Sequence, residues 1–310
     1  MKTAILIPCY NEEITIAKVI EDFKREMPEA DIYVYDNNSK DSTANIAIKH
    51  GATVKRELRQ GKGNVVRSMF RDIEADFYIM VDGDDTYPAE FVHKLLEPLL
   101  AGEADMTIGD RLSNGTYASE NKRPFHDFGN NLVRWLINKI YNNNLKDIMT
   151  GYRGFNREFV KAMPVLSEKF EIETEMSIHA LDKKFIVKEV PIEYRDRPEG
   201  SESKLNTFSD GFKVLKTIFM LFKDYKPLIF FNIFFGIFLI AGLAVGTPVL
   251  IEFAQTSYIT KVPSAILAVG LVMVSMLSFV SGIILDTIAK NQRANYELYL
   301  NQLRNNRRNN

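Results

Sequence analysis

Three carboxylates fall within four residues at Asp82-Gly83-Asp84-Asp85, directly after the apolar run Phe77–Val81. At that spacing the charges repel one another, and a divalent cation resolves the repulsion. Hard oxygen donors select Mg2+ or Mn2+, either of which can bridge to a diphosphate. Gly83 keeps the turn tight and leaves room for a ligand. Asp82 and Asp84 are therefore the candidate metal ligands. The plainer alternative is an acidic turn that caps a helix starting near Pro88. Two more polar clusters, Tyr10-Asn11-Glu12-Glu13 and Asp36-Asn37-Asn38-Ser39, also follow short β-rich runs.

These clusters need a frame to bring them together. Ala4–Ile7, Ile32–Tyr35, Thr53–Lys55 and Phe77–Val81 read as strands, and Glu12–Glu26, Ser42–Lys49 and Asn64–Ile73 as helices. Such alternation predicts an α/β fold with a mostly parallel sheet between helices. Ligands of open α/β sheets sit at the carboxyl ends of strands, and all three polar clusters fall there. His50, His93, His126 and His179 are scattered without ligand spacing and read as structural. A net charge of −1 gives no basic signature for nucleic acid. The single cysteine, Cys9, leaves no internal disulfide and fits a reducing compartment.

The composition changes after residue 206. Leu228–Ile251 and Pro263–Ile288 each exceed the roughly 20 apolar residues that span a bilayer, and neither shows a polar stripe. Two buried core helices are the alternative. Lys213, Lys216, Lys223 and Lys226 precede the first segment, and Lys290, Arg293, Arg304, Arg307 and Arg308 follow the second. The connection carries only Lys261. That asymmetry predicts both termini in the cytoplasm of a plasma (inner) membrane protein. The start, Met1-Lys2-Thr3-Ala4-Ile5, is too short and β-like for a signal peptide, so the large domain is expected to stay where it is made. Phe208, Phe212, Leu215, Phe219 and Phe222 form one apolar stripe over Thr207–Asp224, which suits a helix in the membrane interface among lipid headgroups. The expected division is a catalytic domain over 1–206, an interfacial helix over 207–226, two spans within 227–290 and a basic tail over 291–310. The Asn/Arg-rich end 305–310 is expected to be disordered.

With the motifs taken together, the sequence resembles the inverting family-two glycosyltransferases of GT-A (Rossmann-like) fold, over Thr3 to about Lys204. The resemblance rests on Ile7-Pro8-Cys9-Tyr10-Asn11-Glu12-Glu13, Asp36-Asn37-Asn38-Ser39-Lys40-Asp41-Ser42-Thr43, Gly61-Lys62-Gly63-Asn64 and Asp82-Gly83-Asp84. Within that family it looks most like the polyprenyl-phosphate sugar transferases. Gly109-Asp110-Arg111, Asp147-Ile148-Met149-Thr150-Gly151-Tyr152-Arg153, Glu189-Val190-Pro191-Ile192, Arg197 and Ser203-Lys204-Leu205 carry that narrower match.

The resemblance implies roles. Pro8, Tyr10, Glu12 and Asp36 surround the nucleoside of a nucleotide-sugar, and Gly61-Lys62-Gly63 lets the backbone approach it. Asp82 and Asp84 hold the metal on the diphosphate. Arg111, Arg153, Arg197 and Lys204 meet phosphates, chiefly that of a polyprenyl (undecaprenyl) phosphate acceptor. Asp147 orients Arg153 or a sugar hydroxyl. Arg153 could instead simply pair with Glu171 or Glu173. Two departures stand out: the family often has two aspartates where Asp36-Asn37 stands, and a common glutamine is Thr86 here. A hydroxyl acceptor and a non-catalytic nucleotide-sugar-binding scaffold are the alternative functions. The sequence is neutral on whether the chain is a homo-oligomer.

Overall fold

In a computed structural model, β1 (Thr3–Cys9), α1 (Ile16–Glu26), β2 (Asp31–Asp36), α2 (Thr43–Lys49), β3 (Thr53–Arg56), α3 (Lys62–Asp72) and β4 (Phe77–Met80) alternate as the hydrophobic pattern predicts. There follow α4 (Val92–Leu100), β5 (Met106–Asp110), α5 (His126–Tyr141), β6 (Arg153–Asn156), α6 (Arg157–Ala162), α7 (Ile172–Asp182) and β7 (Val187–Pro191). The structure describes residues 1–113, 126–168, 171–198, 219–220 and 222–309. They belong to two units, Met1–Val214 with Gln302–Asn310, and Leu215–Asn301.

The described strands form one sheet in the order β3-β2-β1-β4-β6-β5-β7. It is GT-A-like, mixed and mostly parallel. In β1, Ala4, Ile5, Leu6 and Ile7 are all fully buried, as expected of a central strand covered on both faces. α1 buries Ile16, Val19, Ile20 and Phe23, a single stripe at helical spacing. It packs into a core with Ile5, Ile7, Val34, Ile79 and Val81.

The reversal of β6 gathers the site. β6 runs antiparallel to β4 and β5, with Met80 opposite Arg153 and Ile108 opposite the same residue. The loop that enters β6 therefore lies at the edge where β4 and β5 leave the sheet. β7 is parallel to β5, with Pro191 opposite Asp110, so the chain after β7 exits at that edge too. Sequence-distant segments at 8–12, 36–39, 82–86, 110–111, 147–153 and 192–197 thus share one rim.

The second unit contains α8 (Pro227–Thr256) and α9 (Val262–Asn309) as far as Asn301, and both helices are long and apolar enough to cross a membrane. Gly242 faces Val272 and Ala268, and Gly246 faces Ala268, so small residues let the two helices approach. The Ser275 hydroxyl donates to the Phe235 carbonyl at 3.1 Å. Ahead of α8, residues 222–225 are helical, and the Phe219 and Phe222 rings meet Phe230. Residues 207–218 of the expected interfacial helix lie outside the described residues. The expectation of a disordered 305–310 is corrected, because α9 continues to Asn309. No glycine or proline follows Gly282 to interrupt it, and Arg, Asn and Gln are tolerated within a helix.

Candidate active site

The acidic turn begins at the end of β4, and each of its acids has a different cation. Lys62, at the start of α3, donates to Asp82 Oδ1 at 2.5 Å and to Glu173 Oε1 at 2.5 Å. Glu173 stands in the first turn of α7 and is buried. Burial opposes the Lys62 charge, but the two carboxylates outweigh it, and Lys62 is held protonated well above its ordinary range. Asp82 leans on Gly151, where a β-carbon would stand 2.3 Å from its Oδ2. That position admits only glycine without moving the acid. Gly83 is equally confined, since a β-carbon there would lie 2.7 Å from Cys9 Sγ.

Asp84 is buried, and burial together with the neighbouring Asp82 charge pushes its carboxyl up. Arg197 donates to Asp84 Oδ2 at 2.5 Å, and the Thr86 hydroxyl donates to Oδ1 at 2.7 Å. Asp85 has a left-handed backbone, φ 59°, and turns to Lys18 of α1 at 2.6 Å. The plain helix-cap reading of the cluster therefore does not account for Asp82 and Asp84.

The nucleotide-side loops are stitched to one another. Asn11 N donates to Ser39 Oγ at 2.9 Å, Glu12 N to Thr43 Oγ1 at 2.8 Å and Ser42 N to Glu13 Oε2 at 2.9 Å. Asp36 is buried and accepts from Ser39 N at 3.3 Å. Pro8 pairs beside Tyr35 in the sheet. Asn37 explains its own departure from the family pattern. Its amide donates to the carbonyls of Glu57 at 3.0 Å and Arg59 at 2.8 Å, and its oxygen accepts from Gly61 N at 2.6 Å. An aspartate could accept but not donate. Hydrogen bonds from Arg59 meanwhile hold the Glu57 carboxyl down to about 2. Asn37→Asp is expected to strand two carbonyls at roughly 1–3 kcal/mol each. Its melting temperature should fall by at least about 3 °C, with a raised KM for nucleotide-sugar. A melting curve identical to the unaltered chain would show that this staple is dispensable.

Arg111 follows β5 and forms a fork on Asp147, with Nε to Oδ2 at 2.7 Å and Nη2 to Oδ1 at 3.1 Å. Its Nη1 donates to the Tyr87 hydroxyl at 3.3 Å. Burial opposes the Asp147 charge, but Arg111 outweighs it and holds the carboxyl below its ordinary range. Asp147 thus orients Arg111, a partner outside the expected pair of alternatives, Arg153 or a sugar hydroxyl, and the first of these is corrected. Arg153 is fully buried. It donates to the carbonyls of Thr150 at 3.0 Å and Ile148 at 2.5 Å and to Ser177 Oγ at 3.0 Å. It therefore clamps the 148–150 loop from behind, instead of presenting a guanidinium to a phosphate or pairing directly with Glu171 or Glu173. Burial lowers it to about 10.

The rim thus gathers Pro8, Tyr10, Glu12, Asp36, Gly61, Lys62, Asp82, Asp84, Arg111, Asp147 and Arg197, with Arg153 one layer behind. Lys204 lies outside the described residues. Tyr87 is absent from the motif reading, and Glu173 enters it only as a partner offered to Arg153. The acid-rich start of α7, Glu171-Ile172-Glu173-Thr174-Glu175, was the available signal for Glu173. Among the described residues no group of three or more His, Cys, Asp or Glu side chains forms a complete metal cage. A pair of carboxylates nevertheless fits Mg2+ or Mn2+, which complete their shell with waters and substrate phosphates. The Lys62 ammonium and the Arg197 guanidinium stand where that positive charge would act.

The chain belongs to glycosyl transferase family 2, whose model matches residues 4–163. It is 33% identical to glycosyltransferase AglJ of Haloferax volcanii over 286 residues, 92% of each chain. It is 30% identical to a dolichyl-phosphate hexose transferase of the same organism over 215 residues, 69% of this chain and 91% of the relative. Glucosyl-3-phosphoglycerate synthase from Mycobacterium tuberculosis, solved with Mn2+, UDP and glucosyl-3-phosphoglycerate, shares the fold at a TM-score of 0.58 and 20% identity. That comparison covers 72% of this chain and 79% of the synthase.

Proposed function

We propose that this chain transfers a hexose from a nucleotide-sugar, read here as a UDP-sugar, to a polyprenyl phosphate, with inversion and with Mg2+ or Mn2+ held by Asp82 and Asp84. The observation that carries the reading is the double pairing of Asp82 with Lys62 and Asp84 with Arg197. A site that neutralises two carboxylates with its own cations can exchange them for a metal diphosphate and turn the released cations toward phosphates. The acceptor reading draws support from the dolichyl-phosphate hexose transferase, and the donor and metal from the Mn2+ and UDP of the synthase complex.

A lipid phosphate has a second pKa near 6 and is largely dianionic at pH 7, so it needs no general base. Its oxygen attacks the anomeric carbon opposite the nucleotide. The bond from that carbon to the diphosphate breaks, and the electron pair leaves on the nucleoside diphosphate. The metal, when bound, neutralises that leaving group. The chain must bring one anion toward another. Arg111, fixed by Asp147 and Tyr87, and Arg197 supply guanidinium forks for the incoming phosphate. Lys204 joins them by resemblance. Pro8, Tyr10, Glu12, Asp36, Gly61 and Lys62 frame the donor. To test this, membranes holding the chain are incubated with labelled nucleotide-sugars and undecaprenyl phosphate. Label is expected in an organic-soluble, acid-labile lipid. Label on a hydroxyl-bearing lipid saccharide alone would reject the phosphate acceptor, and no transfer from any donor would favour a scaffold.

In this reading residues 1–206 are the transferase domain, 207–226 lie in the membrane interface, and both termini face the cytoplasm of the plasma membrane. A cysteine replacing Ser257, with Cys9 removed, is expected to react with an impermeant thiol reagent outside intact cells. A cysteine replacing Asn310 is expected not to react, and the reverse pattern would invert the topology.

A further inference from the structure

Glu173 has no part in the roles so far assigned to the donor site, yet it is buried and lies 2.5 Å from the Lys62 ammonium. A buried carboxylate is costly to keep, and a lysine already paired with Asp82 does not need a second one. α7 is committed to this corner of the molecule in a second way. Glu175, two residues further along the helix, accepts from Leu166 N and Ser167 N, both at 2.9 Å. The backbone it holds is the surface on which α3 begins: a β-carbon on Gly63 would lie 2.0 Å from the Ser167 carbonyl oxygen. α7 therefore fixes both the backbone and the side chain of the Gly61-Lys62-Gly63 turn.

We propose that Glu173 is a positioning residue that shares Lys62 with Asp82 and takes the ammonium over when Asp82 receives the metal diphosphate of the donor. This rests on the metal reading above. The charges give the reason. Asp82, Lys62 and Glu173 sum to −1, and a divalent cation is drawn to that remainder. Without Glu173 the Asp82–Lys62 pair sums to zero, and Lys62 loses the second carboxylate to which it can move. Lys62 suits this sharing because an ammonium on a flexible stem can shift between two oxygens, which a planar guanidinium fork does less readily.

The test measures Mn2+·UDP binding by calorimetry to the full chain in detergent, with thermal unfolding recorded beside it. Glu173→Gln keeps the shape and an acceptor for Lys62 but removes the charge. It is expected to weaken binding by about 10- to 100-fold, the range for residues that orient metal ligands. The double variant Glu173→Gln with Lys62→Met restores the sum of −1 and removes the competitor, so it is expected to bind Mn2+ without UDP more tightly than Glu173→Gln alone, a readout that does not include Lys62 as a contact to the nucleotide. A merely structural role for Glu173 predicts the opposite order, because the double variant loses more contacts. Glu173→Asp, which keeps the charge on a shorter stem, should fall between the unaltered chain and Glu173→Gln. Unchanged binding in Glu173→Gln, or no recovery in the double variant, overturns the inference while leaving the metal reading intact. Failure of the unaltered chain to bind Mn2+·UDP removes the metal reading, and this inference with it.

Discussion

Replacing Asp84 by asparagine is expected to lower sugar transfer by about 10²- to 10³-fold, the loss typical when one charge-stabilising group is removed from an active site, while leaving the fold intact. The two halves of that expectation come from the same geometry. Asparagine is nearly isosteric and keeps an oxygen for the Thr86 hydroxyl, which donates to Oδ1 at 2.7 Å. Burial and the charge of Asp82 both work against an ionised Asp84. Removing that charge relieves the folded state, so thermal unfolding should occur at or near the temperature of the unaltered chain. Arg197 loses its contact with the Asp84 carboxylate, but it is partly exposed and can rehydrate. Catalysis, in contrast, is expected to need the charge, because a neutral amide is a poor ligand for a hard divalent cation. The measurement is turnover at saturating nucleotide-sugar across a range of Mg2+ and Mn2+, beside a melting curve. Near-normal turnover at limiting metal would eliminate the metal role of Asp84. A collapsed melting temperature would show that the loss came from unfolding instead.

What the sequence made legible is unevenly spread through the chain. The strand–helix alternation up to Met80 was visible because each element is short, apolar and bounded by polar turns, and β1 to β4 fall within a few residues of the pattern. The Asp-x-Asp turn was visible because like charges in sequence are rare without a counter-ion. The partners of those charges were not. Lys62 and Glu173 are separated by more than a hundred residues and meet only because the fold brings the start of α3 to the first turn of α7, which no local pattern encodes. Arg153 misled for a related reason. Its place in the Asp147–Arg153 motif marks it as important, but the antiparallel turn into β6 directs the guanidinium inward to carbonyls. The same turn delivers Asp147 to Arg111, which follows a different strand. Motif membership identified residues that matter, while sheet topology decided which of them can touch a ligand. The C-terminal helix shows the opposite limit: an Asn/Arg-rich composition suggested disorder, but nothing in it breaks a helix already running.

Arg197→Ala is expected to divide the reaction, with transfer to lipid phosphate falling by about 30- to 1,000-fold while Mn2+·UDP binding holds or tightens. Truncating one partner of a close charge pair typically costs roughly 2–4 kcal/mol when the other partner is left desolvated, and that range sets the expected loss. The direction at the donor follows from the contact in the structure. Arg197 occupies Asp84 Oδ2 at 2.5 Å, an oxygen that the proposed metal would need. The donor complex must displace the guanidinium, so its removal takes away a competitor. Once displaced, Arg197 stands at the rim with Arg111, where two forks can grip one phosphate. This links the two substrates: donor binding releases the group that receives the acceptor, which favours the nucleotide-sugar entering first. Arg197→Lys should recover only part of the loss, because an ammonium lacks the bidentate geometry. Calorimetry with Mn2+·UDP and kcat/KM for undecaprenyl phosphate separate the effects. Weaker Mn2+·UDP binding in Arg197→Ala, in proportion to the lost transfer, would place Arg197 on the donor and end this division of labour.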